Sequence, residues 1–208
     1  MAYGFNFRAT SGYVTDSSGQ TYSLGTVYPE TRNGITFGWN SALAGNSRDR
    51  STSAPGAPEL AGIIYWTNSV NAPPQCTFTV DLPQAGDWTI NLALGDATAQ
   101  QTQFARLKDG STTFQTLTNV VTNAGEFLDA SGVVRTTAAL WKSNNVAVSR
   151  TFTTTTFNLE IGDLSFVAGN NTTPSHLMLT YVGPPPSTRL PQPSPARQGL
   201  GRIHYAMR

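Results

Sequence analysis

The sequence predicts an all-β chain: an antiparallel β-sandwich of jelly-roll type over residues 1–183, followed by an extended proline-rich arm over residues 184–208. Three observations carry this expectation. Apolar residues recur at every second position wherever a period can be counted, no segment keeps helical spacing for three turns, and Gly, Asn and Pro divide the chain into seven to ten short strands.

Phe78, Val80 and Leu82 alternate with Thr77, Thr79 and Asp81. Pro83 to Asp87 then supplies turn residues, and Trp88, Ile90, Leu92 and Leu94 alternate with Thr89, Asn91 and Ala93, which predicts a hairpin with one buried face. Asp109-Gly110 between two Thr-rich runs predicts the tight turn of a second hairpin. Phe157, Leu159 and Ile161 lead through Gly162-Asp163 to a further strand, Leu164-Ser165-Phe166-Val167. Leu177, Leu179 and Tyr181 form the last strand before Gly183.

The arm is a different polymer. Pro184 to Arg208 holds six of the 13 prolines and four of the 13 basic residues, with no acid. The other 183 residues keep nine basic side chains against all 12 acidic ones, a net of −3 beside a +4 tail. Such a segment buries no core of its own. Ordering about 25 residues costs on the order of 25 kcal/mol, offset by roughly 1,000 Å² of apolar contact with something else. It therefore reads as a docking arm. Arg189, Arg197, Arg202 and Arg208 steer the contact, while Leu200, Ile203, Tyr205 and Met207 at the tip supply affinity.

Composition excludes several classes of function. Charged residues are only 12% of the chain and the net charge is +1, so no field draws it to nucleic acid or to an anionic membrane. No apolar run is long enough to span a membrane. The opening Met1-Ala2-Tyr3-Gly4-Phe5 lacks the basic and apolar regions of a secretory signal. The single cysteine, Cys76, has no partner for an internal disulfide and no metal-ligand spacing.

Several blocks occur in a recognisable order: Phe5-Asn6-Phe7, Gly12-Tyr13-Val14, Gly34-Ile35-Thr36-Phe37-Gly38-Trp39, Arg48-Asp49-Arg50, Phe78 to Pro83, and Leu92-Ala93-Leu94-Gly95-Asp96. Over residues 3–183 this series resembles the malectin-like, galactose-binding-type β-sandwiches that act as carbohydrate-binding modules beside polysaccharide-active enzymes. The resemblance extends to similar modules in tailed-phage virion proteins. It implies a non-catalytic sandwich that contacts glycan. The enzyme-linked versions continue into a catalytic domain, whereas only the arm follows Gly183 here. Leu94-Gly95-Asp96-Ala97 has alanine where a Gly-Asp-Ser esterase block has its nucleophile.

Catalytic machinery is scarce. There are two histidines, His176 and His204, and no nucleophile elbow, zinc-binding helix or phosphate loop. Glu30, Glu59, Glu126 and Glu160 would serve a glycosidase only if two of them flanked one groove. The expectation is no enzyme. For glycan contact the candidates are Trp66 and Trp141, whose indole faces suit the C–H face of a pyranose, together with Arg48 and Arg50. Trp39 and Trp88 read as core. In the Arg48-Asp49-Arg50 loop a structural reading competes: Asp49 accepts backbone N–H bonds and an arginine pairs with a carboxylate across the sandwich. No cofactor is expected, although Asp96, Asp163, Asn170 and Asn171 offer oxygens for a structural calcium.

Two functions fit. The first is a virion-located accessory subunit of a phage particle, in the capsid decoration or in the neck or tail. Its arm anchors it on capsid or tail proteins, it is homo-oligomeric, and it displays a glycan-binding sandwich to the cell surface. The second is an extracellular, soluble carbohydrate-binding module serving polysaccharide-active enzymes.

Overall fold

The computed structural model describes residues 1–7, 14–15, 21–22, 27–32, 34–43, 46–50, 57–67, 76–162 and 171–184. The expected strand at Leu164 to Val167 and the arm residues Arg189, Arg197, Leu200, Arg202, Ile203, Tyr205 and Met207 lie outside the described residues.

The strands are β1 (Ala2–Asn6), β2 (Val14–Thr15), β3 (Thr21–Tyr22), β4 (Glu30–Arg32), β5 (Ile35–Trp39), β6 (Ser47–Asp49), β7 (Gly62–Ile64), β8 (Trp66–Thr67), β9 (Cys76–Asp81) and β10 (Gly86–Leu94). They continue with β11 (Gln101–Asp109), β12 (Thr112–Thr122), β13 (Phe127–Asp129), β14 (Val134–Arg135), β15 (Val148–Phe152), β16 (Thr156–Ile161), β17 (Asn171–Thr172) and β18 (Pro174–Gly183). A 3-10 turn, Pro58–Leu60, and a seven-residue helix, α1 (Ala138–Asn144), complete the described elements.

Two six-stranded sheets face each other, as the alternation predicts. One runs β1-β18-β10-β13-β14, with β15 sharing the β13 side of β10. The other runs β12-β11-β16-β9-β5-β4. The pairings within both sheets are antiparallel. Phe5 of the first sheet meets Phe37 and Phe78 of the second edge-on, each at 5.2 Å, and Phe7 lies 5.5 Å from Trp39. Trp39 and Trp88 are fully buried, as read from the sequence. Edge-to-face rings add to the area they remove from water.

The expected hairpin of β9 and β10 does not form. Their register partners lie in opposite sheets: β9 pairs with β16 and β5, while β10 pairs with β18, β13 and β15. The Leu82–Ala85 turn therefore arches across the core, held by Leu82 N–H donating to Thr155 O and Trp88 Nε1 to Gln84 O. Alternation fixes which face is buried and leaves the partner open. The second hairpin forms as expected between β11 and β12, where Asp109 pairs with Thr112 and Gly110 takes φ +56° in the turn.

A smaller cluster covers the outer face of the first sheet. Thr137 caps α1, its hydroxyl accepting from Leu140 N–H at 3.1 Å, and the helix turns Trp141 inward onto Ala93, Phe127 and Leu60.

Candidate ligand-binding site

The site is built at one end of the sandwich, where β6 and β7 pair beside the start of β11 and β17. Arg48 is opposite Ile63 in the β6–β7 ladder, and Arg50 N–H donates to Ala61 O at 2.6 Å, so both arginines leave the same short ribbon. They line a cavity of about 210 Å³ with Tyr65, Asp96, Gln101 and Asn171, and Ile63 lends an apolar wall.

Arg48 is exposed. Its guanidinium donates to Ser47 O at 2.7 Å and to the Tyr65 hydroxyl at 2.8 Å, and its centre lies 4.7 Å from the Tyr65 ring centroid. The stacked guanidinium fixes the ring and keeps its own charge at the mouth.

Arg50 has a different task. Its Nε and Nη2 donate to the two oxygens of Asp96 at 2.8 and 2.9 Å, and Thr98 adds its backbone N–H and hydroxyl at 2.9 and 3.1 Å. Burial pushes the Asp96 carboxyl up, but the Arg50 and Thr98 hydrogen bonds and the Arg50 charge outweigh it and hold the group below the ordinary carboxylate range. The arginine–carboxylate pair expected from the sequence forms, but it joins the β6–β7 ribbon to the segment after β10 rather than one sheet of the sandwich to the other. Asp49 is exposed and has an interaction partner.

The back of the cavity is set by neutral hydrogen bonds. Buried Gln103 donates to Thr122 and Thr173 hydroxyls and accepts from Thr173 N–H at 3.0 Å, which ties the turn between β17 and β18 to β11 and places Asn171 and Thr173 at the wall. Gly95 N–H donates to Thr173 O at 2.8 Å. A Cβ on Gly95 would overlap the Glu126 carbonyl oxygen and crowd Phe127, so glycine permits the close approach of the 95–96 and 126–127 segments.

Trp66 and Trp141 do not present indole faces to a ligand. Trp66 is 7% exposed and belongs to the main core. Successive strand residues point to opposite sides, so in Ile63-Ile64-Tyr65-Trp66 the tryptophan turns inward and Tyr65 turns to the cavity. Trp141 is 2% exposed, donates Nε1–H to Leu92 O at 3.1 Å, and lies edge-on to His176. Its indole packs on Ala93, Phe127 and Leu60 beneath the helix. Tyr65 and Gln101 were missed in the sequence. Their signals were an aromatic one residue from the chosen tryptophan and a polar residue at a strand start.

The other candidates are dispersed. His176 is buried, with Nδ1 2.9 Å from Asn6 Oδ1. Glu30 pairs with Arg32, Glu59 with Lys142 at 3.6 Å, and Glu160 with Arg106 and Lys108 at 2.8 and 3.1 Å. Glu126 accepts from Asn123 N–H and Nδ2 at 2.9 and 3.0 Å. Of the calcium candidates, Asp163 and Asn170 lie outside the described residues, and Asp96 is engaged by Arg50 and Thr98. Among the described residues no cluster of three His, Cys, Asp or Glu side chains is arranged to hold a metal. A larger cleft of about 440 Å³ lies over Phe127 between Gly125 and Ala138, but its walls are mainly small apolar residues without convergent polar groups.

The chain matches no known family model and no curated protein. Among solved structures it is similar to the native family 35 carbohydrate binding module from Clostridium thermocellum. The identity is 10% over 57% of this chain and 88% of that one, with a TM-score of 0.31. It is also similar to CBM35 from Paenibacillus barcinonensis, at 8% identity over 65% of this chain and 98% of that one, with a TM-score of 0.29.

Proposed function

We propose that this chain is a non-catalytic carbohydrate-binding β-sandwich that holds a single sugar ring, free or at the end of a glycan, in the Arg48–Tyr65 cavity. The observation that carries this reading is the cavity's chemistry: guanidinium, phenol and two carboxamide groups converge on a small space with one apolar wall. Sugar hydroxyls both donate and accept, so they match such a mixed set, while ring C–H groups pack on Ile63 and Tyr65. At about 210 Å³ the cavity is smaller than the roughly 300 Å³ of the smallest drug-sized pockets, which suits one ring with the rest of the glycan outside. The cavity holds no base beside a nucleophile, and its one carboxylate, Asp96, is committed to Arg50. A glycan array followed by calorimetry tests the reading. Binding that falls about tenfold or more in Tyr65→Ala or Arg48→Ala, with the melting temperature lowered by no more than about 4 °C, supports it. The absence of any glycan hit, or hits indifferent to both substitutions, sinks it.

The assembly role is kept as a second reading, and it stands on the composition of the arm: six prolines and four arginines without an acid after residue 183. A phage-particle subunit lacking Gly199 to Arg208 should fold and yet fail to be incorporated. A soluble binding module should lose nothing by the same truncation.

A further inference from the structure

The second sheet ends differently on its two sides. One edge, β4, is three residues long, carries Glu30 and Arg32, and follows Pro29. Short length, charge and proline are the devices by which native sheets keep an edge from recruiting another strand. The opposite edge, β12, runs 11 residues from Thr112 to Thr122 with no charged residue and no proline. It pairs with β11. Among the described residues no strand pairs with its other side, which carries a row of backbone N–H and C=O groups about 35 Å long. Thr116, Thr118, Asn119 and Val121 are exposed along it, Val121 by 48%.

The register locates the part of this edge fit for pairing. Ladder shifts fall beside Phe114 and at Asn119, where φ is +59°, and between them Gln115, Thr116, Leu117 and Thr118 pair regularly with Leu107, Arg106, Ala105 and Phe104. The bulges bend the two ends, leaving a regular central run.

We propose that β12 is an association edge that pairs antiparallel with β12 of a second copy of this chain, about a two-fold axis within Gln115–Thr118. A second copy is favoured over a foreign strand because a two-fold pairing brings each central residue close to its own copy. Any charge there would meet itself, and the run has none; threonines facing threonines are instead a favourable cross-strand pair. In the row behind it, Glu160 pairs with both Arg106 and Lys108 and so reduces their two positive charges to a net of one. With a net charge of +1, whole copies repel each other little.

The test is the mass in solution by light scattering and sedimentation, over a range of concentrations up to high micromolar. The full chain should reach twice its 22.2 kDa. Thr116→Lys with Thr118→Lys should weaken the dimer about tenfold or more, and Thr116→Glu with Thr118→Glu should do the same. An equal mixture of the two variants should restore the dimer, because opposite charges now meet at the axis. Thermal melting checks the fold, and Thr118→Lys alone reads the same axis if the double change lowers stability. A chain ending at Gly183 should still dimerise. A monomer at every concentration, a dimer indifferent to both charge sets, or a dimer lost with the arm overturns the proposal; the first leaves the edge to a strand of another protein.

Discussion

Arg50 and Asp96, 46 residues apart, are joined by a two-bond fork at 2.8 and 2.9 Å, with the carboxylate 1% exposed and the guanidinium side chain 23% exposed. The pair locks the β6–β7 ribbon to the segment after β10, and so gives the cavity its shape. It leaves Arg48 as the arginine whose charge faces solvent at the mouth.

Removing Arg50 strands a buried carboxylate, so Arg50→Ala should cost on the order of 3 kcal/mol at neutral pH. The folded-state value of Asp96 is lowered, and those of Asp109, Asp129 and Glu160 are lowered likewise, because hydrogen bonds outweigh burial at each. A depressed carboxylate contributes stability that is present above its unfolded value, about 3.9 for Asp, and is lost as pH falls through the folded value. Urea midpoints should thus stay level from neutral to about pH 5 and fall in more acid solution. The deficit of Arg50→Ala should shrink in acid as Asp96 protonates. An equal deficit at every pH would refute an ionised pair.

Tyr65 and its neighbour separate binding from stability. Trp66→Ala and Trp141→Ala should each cost roughly 3–5 kcal/mol, since both are buried. Tyr65→Ala should cost about 1 kcal/mol or less and abolish glycan binding. Chemical denaturation of the three variants decides it, and equal losses would place Tyr65 in the core.

Gly95→Ala tests the close approach behind Asp96. The added methyl meets the backbone of Glu126, which has no rotamer to yield, so the variant should lose about 1–3 kcal/mol. Unfolding like that of the parent would mean that the 95–96 and 126–127 segments separate without cost.

Cys76 should be inert in the folded protein. It is fully buried with its thiol donating to Asn40 Oδ1 at 3.1 Å, and burial pushes its value up to about 12. A thiol reagent at pH 8 should react only after denaturant is added. Rapid reaction of the native chain would show local opening of β9.

Sequence alone determined the class of fold and the buried side of the strands whose alternation is clear. The alternation through Phe78, Val80, Trp88 and Ile90 marks one buried face on each strand, and all four residues lie in the core. Asp109-Gly110 marked a hairpin because a tight turn is written in a few consecutive residues. Arg48 and Arg50 were legible as candidates because the triplet Arg48-Asp49-Arg50 stands in a polar loop. What only the tertiary structure decided was everything carried by partners distant in the chain. The period of two assigns faces without naming neighbours, so β9 and β10 became an arch between sheets. It is also so short that an error of one position exchanges inside for outside, which is why Tyr65 rather than Trp66 faces the cavity. The site itself joins residues 48–50, 65, 96–101 and 171–173, and no local pattern encodes contacts across such separations. They follow from the packing of two sheets and from buried polar groups, Asp96 and Gln103 above all, that must find their partners once water is gone.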